Sequence, residues 1–515
     1  MSMQTAPLAF RYPPLATYPL WSCGRREQRS PPIPPRDCDC YGVHRRGLRH
    51  LKPPTDSYIS ATPGPSQNPP SPGCCSEPLA RAGTLLLQWV QETSSSLEGP
   101  CKISGRPVCT HPALALTGCP SWQVSLQCEL SQRYLGGAED NVTCFAQTVS
   151  EGEKWSLHLA QHPNGHMLNP GKQRYMRCDQ QTGHMRCDRD LPWGPEAIIT
   201  LHFDLKEKKY GLRNGAGSLL AADGSLQAEL SPQTLYSLEL QGGLLALRDA
   251  DGRYLTGREG TVKTFKTDKP GRDELFALEP SAAQVSLRTF AGGRFVCCRP
   301  GADIYANAMS VGNTEIFQLL LNDVTKQACF RSSSGTYLAA GPKDSVVSTS
   351  TQDKGVWFSL QYQEQRVTLR MADGRHVATR PNGQLLLVPE AAGKEEFLLL
   401  LVNRPLLILQ SEAGFVGLFP GTQRLDGNRP VYDASTLTLG EDGFCHFRVA
   451  NKYWSLDQDG LVMASGDHPS NFVLQFVSSN CLVLKAPNSK YLVAEAGGRL
   501  WAGASNAASA TPFHY

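Results

Sequence analysis

Trp155, Phe276 and Phe397 stand 121 residues apart, each inside a related segment: EKWSL, ELFAL and EEFLL. Phe513 closes the series 116 residues later. Inside this long period runs a shorter one of close to 40 residues, marked by a basic–aromatic–aliphatic step. The step reads Arg133–Tyr134–Leu135, Arg174–Tyr175–Met176, Arg253–Tyr254–Leu255, Arg294–Phe295–Val296 and Thr336–Tyr337–Leu338. It continues as Arg375–His376–Val377, Gly414–Phe415–Val416, Lys452–Tyr453–Trp454 and Lys490–Tyr491–Leu492, with Ser218–Leu219–Leu220 in the one slot lacking the aromatic. Tight-turn dipeptides punctuate the units: Asp223–Gly224, Asp251–Gly252, Asp373–Gly374, Asn382–Gly383, Asp442–Gly443 and Asp459–Gly460. Such pairs favour two-residue hairpins, so each unit reads as about four short strands.

Four-strand units of this length suit a β-propeller, where each is a blade, or a β-trefoil, where three units close one small barrel. A propeller has no reason to repeat every third blade, and the Trp-Asp blade signature is absent. The long period therefore selects trefoils. Ten units make three complete trefoils, at 158–281, 282–402 and 403–515, and leave one unit, 122–157, as the remnant of a first. A lone unit cannot bury its apolar face. A chain of 515 residues also exceeds what one core serves, and 47 Gly and 37 Pro favour short strands over long helices. The expected fold class is all-β, with tandem β-trefoils (three complete, one partial) after a mostly disordered N-terminal region.

Residues 1–121 break the pattern. SPPIPPRDCDC and KPPTDSYISATPGPSQNPPSPGCC are rich in Pro, Ser and Gly, and such sequence buries too little apolar area to offset its conformational entropy. A short helix is expected over 80–93, where LARAGTLLLQWVQE gathers Leu and Trp on one side.

The formal net charge of +3 implies no polyanionic partner, so a nucleic-acid role is not expected and any basic site must be local. No run approaches the roughly 18 apolar residues that span a bilayer, and the start MSMQTAPLAFRYPPL lacks the form of a signal peptide. The 17 cysteines include no CxxC pair, and they are expected to be reduced thiols rather than zinc ligands. His158, His162, His166 and His184 are the densest histidine group and lack ligand spacing. No metal or cofactor is expected. G-x-S-x-G, H-E-x-x-H, P-loop and G-x-G-x-x-G motifs are absent, so no enzyme is expected. A carbohydrate-binding trefoil would typically repeat Gln-x-Trp in each unit, and this chain does not.

The residues also resemble a known family. YLGGAEDNVTCFAQTVSEGEKW (134–155) is similar to the end of the first trefoil of fascins. LPWGPEAIITL (191–201), GRDELFALE (271–279), NGQLL (382–386) and VNRPLLIL (402–409) resemble later fascin segments in the same order. The resemblance covers about three-quarters of the chain and stops at Trp122. It implies a cytoplasmic, monomeric protein of the actin cytoskeleton that crosslinks F-actin into parallel bundles in cell projections such as filopodia.

A monomeric crosslinker needs two filament-binding surfaces on one rigid body. Actin is acidic, so those surfaces should be basic and salt-sensitive. Lys263, Lys266, Lys269 and Arg272, in TVKTFKTDKPGRDE, are the first candidate; Pro270–Gly271 makes the stretch a loop, and fascins carry similar lysines there. Arg375 and Arg380 form a second candidate, Lys172 and Arg174 a third. By resemblance, a further site in the fourth trefoil falls at Gln410, Glu412, Ala413 and Val493, where only Glu412 keeps the family's character and the cations are replaced. The first trefoil's basic loop has no counterpart. Bundling is therefore expected to be impaired, with a non-bundling trefoil scaffold or a lectin-like module as alternatives.

Overall fold

The last residue of each basic–aromatic–aliphatic step turns inward. Leu135, Met176, Leu220, Leu255, Val296, Leu338, Val377, Val416, Trp454 and Leu492 are all buried, none more than 3% exposed. The computed structural model describes residues 56–60, 85–90, 123–125, 132–138, 141–153, 155–159, 162–204, 206–299, 304–390, 393 and 395–515. Apart from Asp56–Ser60 and Leu85–Val90, the expected disorder of 1–121 lies outside the described residues.

Twelve strands run from Asn164–Asn169 to Ala277–Pro280, and the first pairs antiparallel with the last, Met167 opposite Leu278. The next twelve run from Gln284–Thr289 to Glu396–Leu401 and close in the same way, Leu287 opposite Leu399. The last set runs from Leu406–Leu407 and Gln410–Ser411 to Phe513–His514, with Gln410 opposite His514. Each is a β-trefoil, and the chain is a tandem array of them.

The long-period aromatics mark this closure. Phe276, Phe397 and Phe513 have no exposed surface. Each faces an aliphatic residue of the hairpin before it: Leu245, Val367 and Leu482. Burial of a side chain this size stabilises a core by about 2–3 kcal/mol. The glutamate just ahead of them recurs for a different reason. Glu274 Oε2 accepts the Gly271 N–H at 3.0 Å, and Glu153 Oε2 accepts the Ser150 N–H at 2.9 Å, each tying the turn that feeds the closing strand. Gly224, Gly252, Gly374, Gly383, Gly443 and Gly460 all have positive φ, between 78° and 94°, but the Asp or Asn before each does not. These are therefore three-residue loops ending in a left-handed glycine rather than two-residue hairpins.

Before Trp122 the structure differs from expectation in two elements, Asp56–Ser60 and Leu85–Val90, which are both strands. Leu85–Val90, inside the expected helix, is a β-strand paired with Asp56–Ser60 on one side and Trp155–Leu159 on the other. Leu, Trp and Val in a six-residue stretch suit a strand as well as one helix turn, and two available sheet partners decide the outcome. Trp89 stands opposite Trp155, the first member of the long-period series.

The second trefoil has its own core, from Met167 to Phe276. The buried cluster of the third and fourth is continuous, from Ala283 to Tyr515. Polar seams join the second trefoil to its neighbours. Gln284 Nε2 donates to Pro192 O at 2.8 Å and Gln284 Oε1 accepts from Gly194 N–H at 2.7 Å. The Tyr432 hydroxyl donates to Leu201 O at 2.8 Å, and Asn164 Nδ2 donates to Leu406 O at 3.1 Å.

Candidate functional site

Lys263 lies on a strand, Lys263–Phe265, rather than in the loop expected for it. That strand pairs with Tyr254–Thr256, Thr256 opposite Lys263, and alternation buries Thr264 while turning Lys263 and Phe265 outward. The exposed loop follows, carrying Lys266, Lys269 and Arg272. Neither Lys263, Lys266 nor Lys269 has an ion pair or side-chain hydrogen bond among the described residues, so three ammonium groups face solvent uncompensated.

The structure joins two candidates that are 91 residues or more apart in sequence, Lys172 and the 263–272 stretch. Arg272 Nη2 donates to Gly171 O at 2.7 Å, and Lys172 Nζ donates to Gly257 O at 3.0 Å and pairs with Asp273 at 3.6 Å. Barrel closure causes this: the first hairpin of the trefoil abuts the turn leading into its last strand. Lys172 is a quarter exposed and works as a clip across that closure, whereas Arg174 is held by Asp190 in an ion pair.

Arg258 was invisible to the charge-run reading because it lies outside TVKTFKTDKPGRDE. Its guanidinium stacks on Phe265, 4.6 Å from the ring centroid, and pairs with Asp273 at 3.6 Å and Glu274 at 3.3 Å. Phe265 itself is 45% exposed. An exposed aromatic with a cation on its face, ringed by lysines, is the kind of anchor that interfaces use. The signal that could have found it is the strand alternation of K-T-F.

The second candidate pair is already engaged. Arg375 donates to Asp373 at 2.7 and 2.9 Å and to Asp344 at 2.5 Å. These Arg375 hydrogen bonds, with the loop N–H groups, hold Asp373 below the usual carboxylate range. Arg380 is exposed and donates to Gln384 Oε1 at 3.1 Å across its turn. Arg375 and Arg380 thus stabilise hairpins, each with its own partner.

The fourth-trefoil positions are linked through one intervening strand. Gln410–Ser411 reaches the Leu425–Arg429 strand through Ser411 Oγ, which donates to Gly427 O at 2.7 Å. The same strand reaches the 491–504 hairpin through Gly427 N–H, donating to Gly498 O at 2.9 Å. Glu412 and Ala413 are exposed on the turn, and Val493 is half-buried. Nearby cations are occupied: Arg424 pairs with Asp426 at 2.8 Å, and Arg499 stacks on Trp501, 4.6 Å from its centroid.

Among the described residues no group of His, Cys, Asp and Glu could hold a metal ion, and no helix is long and apolar enough to cross a membrane. His166 is buried and His162 is half-buried. Burial, reinforced by the nearby Arg404, lowers them to about 3 and about 4.

A family model described as the Fascin domain matches residues 171–278, 291–399 and 423–515, one match inside each trefoil. Fascin-2 of Bos taurus is 34% identical over 400 residues, 77% of this chain and 81% of its own length. Fascin-2 of Homo sapiens is 36% identical over 387 residues, 74% of this chain and 78% of its own. Fascin-3 of Homo sapiens is 27% identical over 383 residues, 73% and 76% respectively. With matched family domains in all three trefoils and relatives aligned along most of their length, the chain belongs to the fascin family.

Proposed function

We propose that this chain binds actin filaments through the basic face of its second trefoil and crosslinks them into parallel bundles weakly. The supporting observation is the trio Lys263, Lys266 and Lys269, exposed and uncompensated beside Phe265 and Arg258. An acidic filament surface is the natural complement of such a patch, and attraction of this kind steers association and weakens with salt. Fascin-family membership supports the filament as the partner. Bundling needs a second surface, and none of Gln410, Glu412, Ala413 and Val493 is a cation, while the nearby Arg424 and Arg499 are engaged by Asp426 and Trp501. Each lost charge-assisted contact removes roughly 1.5–3 kcal/mol from a weak site. Such a protein works as a monomer in the cytoplasm, on the actin cytoskeleton and in projections such as filopodia, in a non-catalytic role.

The test is co-sedimentation with F-actin at high and low centrifugal speed and at two salt concentrations. The expected result is pelleting with filaments at high speed, weakened by salt, with little bundle pelleting at low speed. The triple variant Lys263→Glu, Lys266→Glu, Lys269→Glu should lose binding by more than about tenfold, since each exposed charge contributes about 0.5–1 kcal/mol and reversal doubles the effect. Efficient low-speed pelleting would reveal an intact second surface, and no pelleting at either speed would leave a trefoil scaffold without filament binding.

A further inference from the structure

The described residues include eight cysteines, all free. Six are buried: Cys144, Cys187, Cys297, Cys298, Cys329 and Cys445. Burial pushes Cys187 up to about 11 and Cys329 and Cys445 up to about 12, and raises Cys297 and Cys298 as well. Such thiols are inert packing groups. Cys178 is partly exposed, and its Sγ accepts from Asn214 Nδ2 at 3.4 Å.

Cys481 is different in both access and company. It is partly exposed and begins the Cys481–Lys485 strand. Its cross-strand partner is His514, in the closing strand Phe513–His514. Directly opposed residues of an antiparallel pair hold their Cβ atoms about 5 Å apart, so backbone register rather than rotamer choice sets the neighbours. Sγ lies 3.5 Å from His514 Nδ1 and 3.7 Å from Nε2, so either tautomer reaches the sulfur. His514 is also opposed by Gln410 on its other side, which pins the strand between two partners. Glu412, on the adjoining turn, favours the charged imidazole. A nucleophile with a base within reach is the arrangement that activates thiols.

We propose that Cys481 is a thiol–disulfide exchange site, with His514 as its proton acceptor and a low-molecular-weight disulfide as co-substrate. The Cys481 proton passes to the imidazole, and the thiolate attacks one sulfur of the disulfide. A new S–S bond forms as the old one breaks. The departing sulfur leaves with the electron pair and takes the proton from the imidazolium. One disulfide is consumed, one thiol is released, and Cys481 ends oxidised as a mixed disulfide. The product sits at the seam between the third and fourth trefoils: Ser479 Oγ donates to Leu321 O at 2.8 Å and Ser479 N–H to Asp323 Oδ1 at 3.2 Å.

The surrounding charges are few. Burial raises the Cys481 thiol, but hydrogen bonds from His514 and Ser478 and the His514 charge outweigh it, with Asp323 opposing, so the thiol lies below its usual value. His514 lies above its own, chiefly through its hydrogen bond to Cys481. His162, lowered to about 3, and Tyr515, raised by burial, are both neutral near pH 7.

The experiment uses the reduced full-length chain, exposed to oxidised glutathione between pH 6 and 9, acid-quenched and mapped by peptide mass spectrometry for a rate at each cysteine. Cys481 is expected to react about tenfold faster than Cys178 at pH 7, with a rate midpoint below the free-thiol value of about 8.5. His514→Gln should slow Cys481 about tenfold at pH 7, move that midpoint up, and leave Cys178 unchanged; Glu412→Gln should shift it less, in the same direction. A wild-type midpoint at or above about 8.5, or a Cys481 rate indifferent to His514→Gln in a variant of unchanged Tm, overturns the proposal.

Discussion

Arg404 is wholly buried, yet no carboxylate lies within ion-pair distance of it among the described residues. Its guanidinium is held by neutral acceptors instead: Asn403 O at 3.1 Å, Ser281 O at 3.1 Å and Ser281 Oγ at 2.6 Å. An unneutralised buried cation is costly, and burial lowers its own value to about 10. It also discourages further positive charge nearby. His166 donates from Nδ1 to Ala197 O at 3.0 Å and is lowered to about 4, first by burial and then by Arg404. A histidine depressed in the folded state favours folding only while neutral. Its contribution is therefore full above the unfolded value of about 6.5 and drains away as pH falls towards about 4, in total on the order of 3 kcal/mol. Urea unfolding between pH 7 and 4 should show this loss, and His166→Gln should flatten the slope in that window while lowering stability at pH 7. The exposed cations follow the opposite logic, since Lys263, Lys266 and Lys269 keep their charge hydrated and available.

Hairpins are the repeating element, and their turns fail unequally. Gly374 and Gly224 share positive φ, 94° and 91°, in the same Asp-Gly context. A Cβ on Gly374 would meet only the Arg370 Nη2 tip at 3.5 Å, whereas on Gly224 it would press on Val262 O at 2.5 Å. Gly374→Ala should cost about 1–2 kcal/mol from backbone strain, and Gly224→Ala clearly more, because a paired strand must move as well. Denaturant midpoints of the two variants, with unchanged m-values, check the ordering. The closing strands are more demanding still. Phe397→Ala empties a fully buried site and should cost about 3–5 kcal/mol, read by the same measurement.

At the scale of the whole molecule, the continuity of buried side chains from Ala283 to Tyr515 makes the third and fourth trefoils one cooperative body. The second has a separate core and meets its neighbours largely through hydrogen bonds such as Tyr432 to Leu201 O. Calorimetry should therefore resolve two transitions. Phe447→Ala, in the shared core, should shift one of them, and Leu247→Ala, in the second trefoil's core, the other. Tyr432→Phe should cost about 1 kcal/mol of coupling between them while leaving each barrel intact. A single transition displaced equally by both core variants would contradict this division.

What the sequence determined by itself was the repeat and everything local to it. Aliphatic residues at one slot per unit, glycines after Asp or Asn, and one large aromatic every third unit are consequences of strand alternation, positive φ and barrel closure. Each leaves its trace within a few residues of where it acts. Residues distant along the chain meet only when barrels close and pack, and those pairings had no local signature. Leu85–Val90 became a strand because Asp56–Ser60 and Trp155–Leu159 offered backbone partners. Lys172 joined the 257–273 segment because the first hairpin of a trefoil lies against its last turn. Arg258 entered the basic face by stacking on Phe265, and Arg375 was taken out of contention by Asp373 and Asp344. Charge can be counted along a sequence, but whether a charge is free depends on which carboxylates, rings and carbonyls the fold brings within about 4 Å of it.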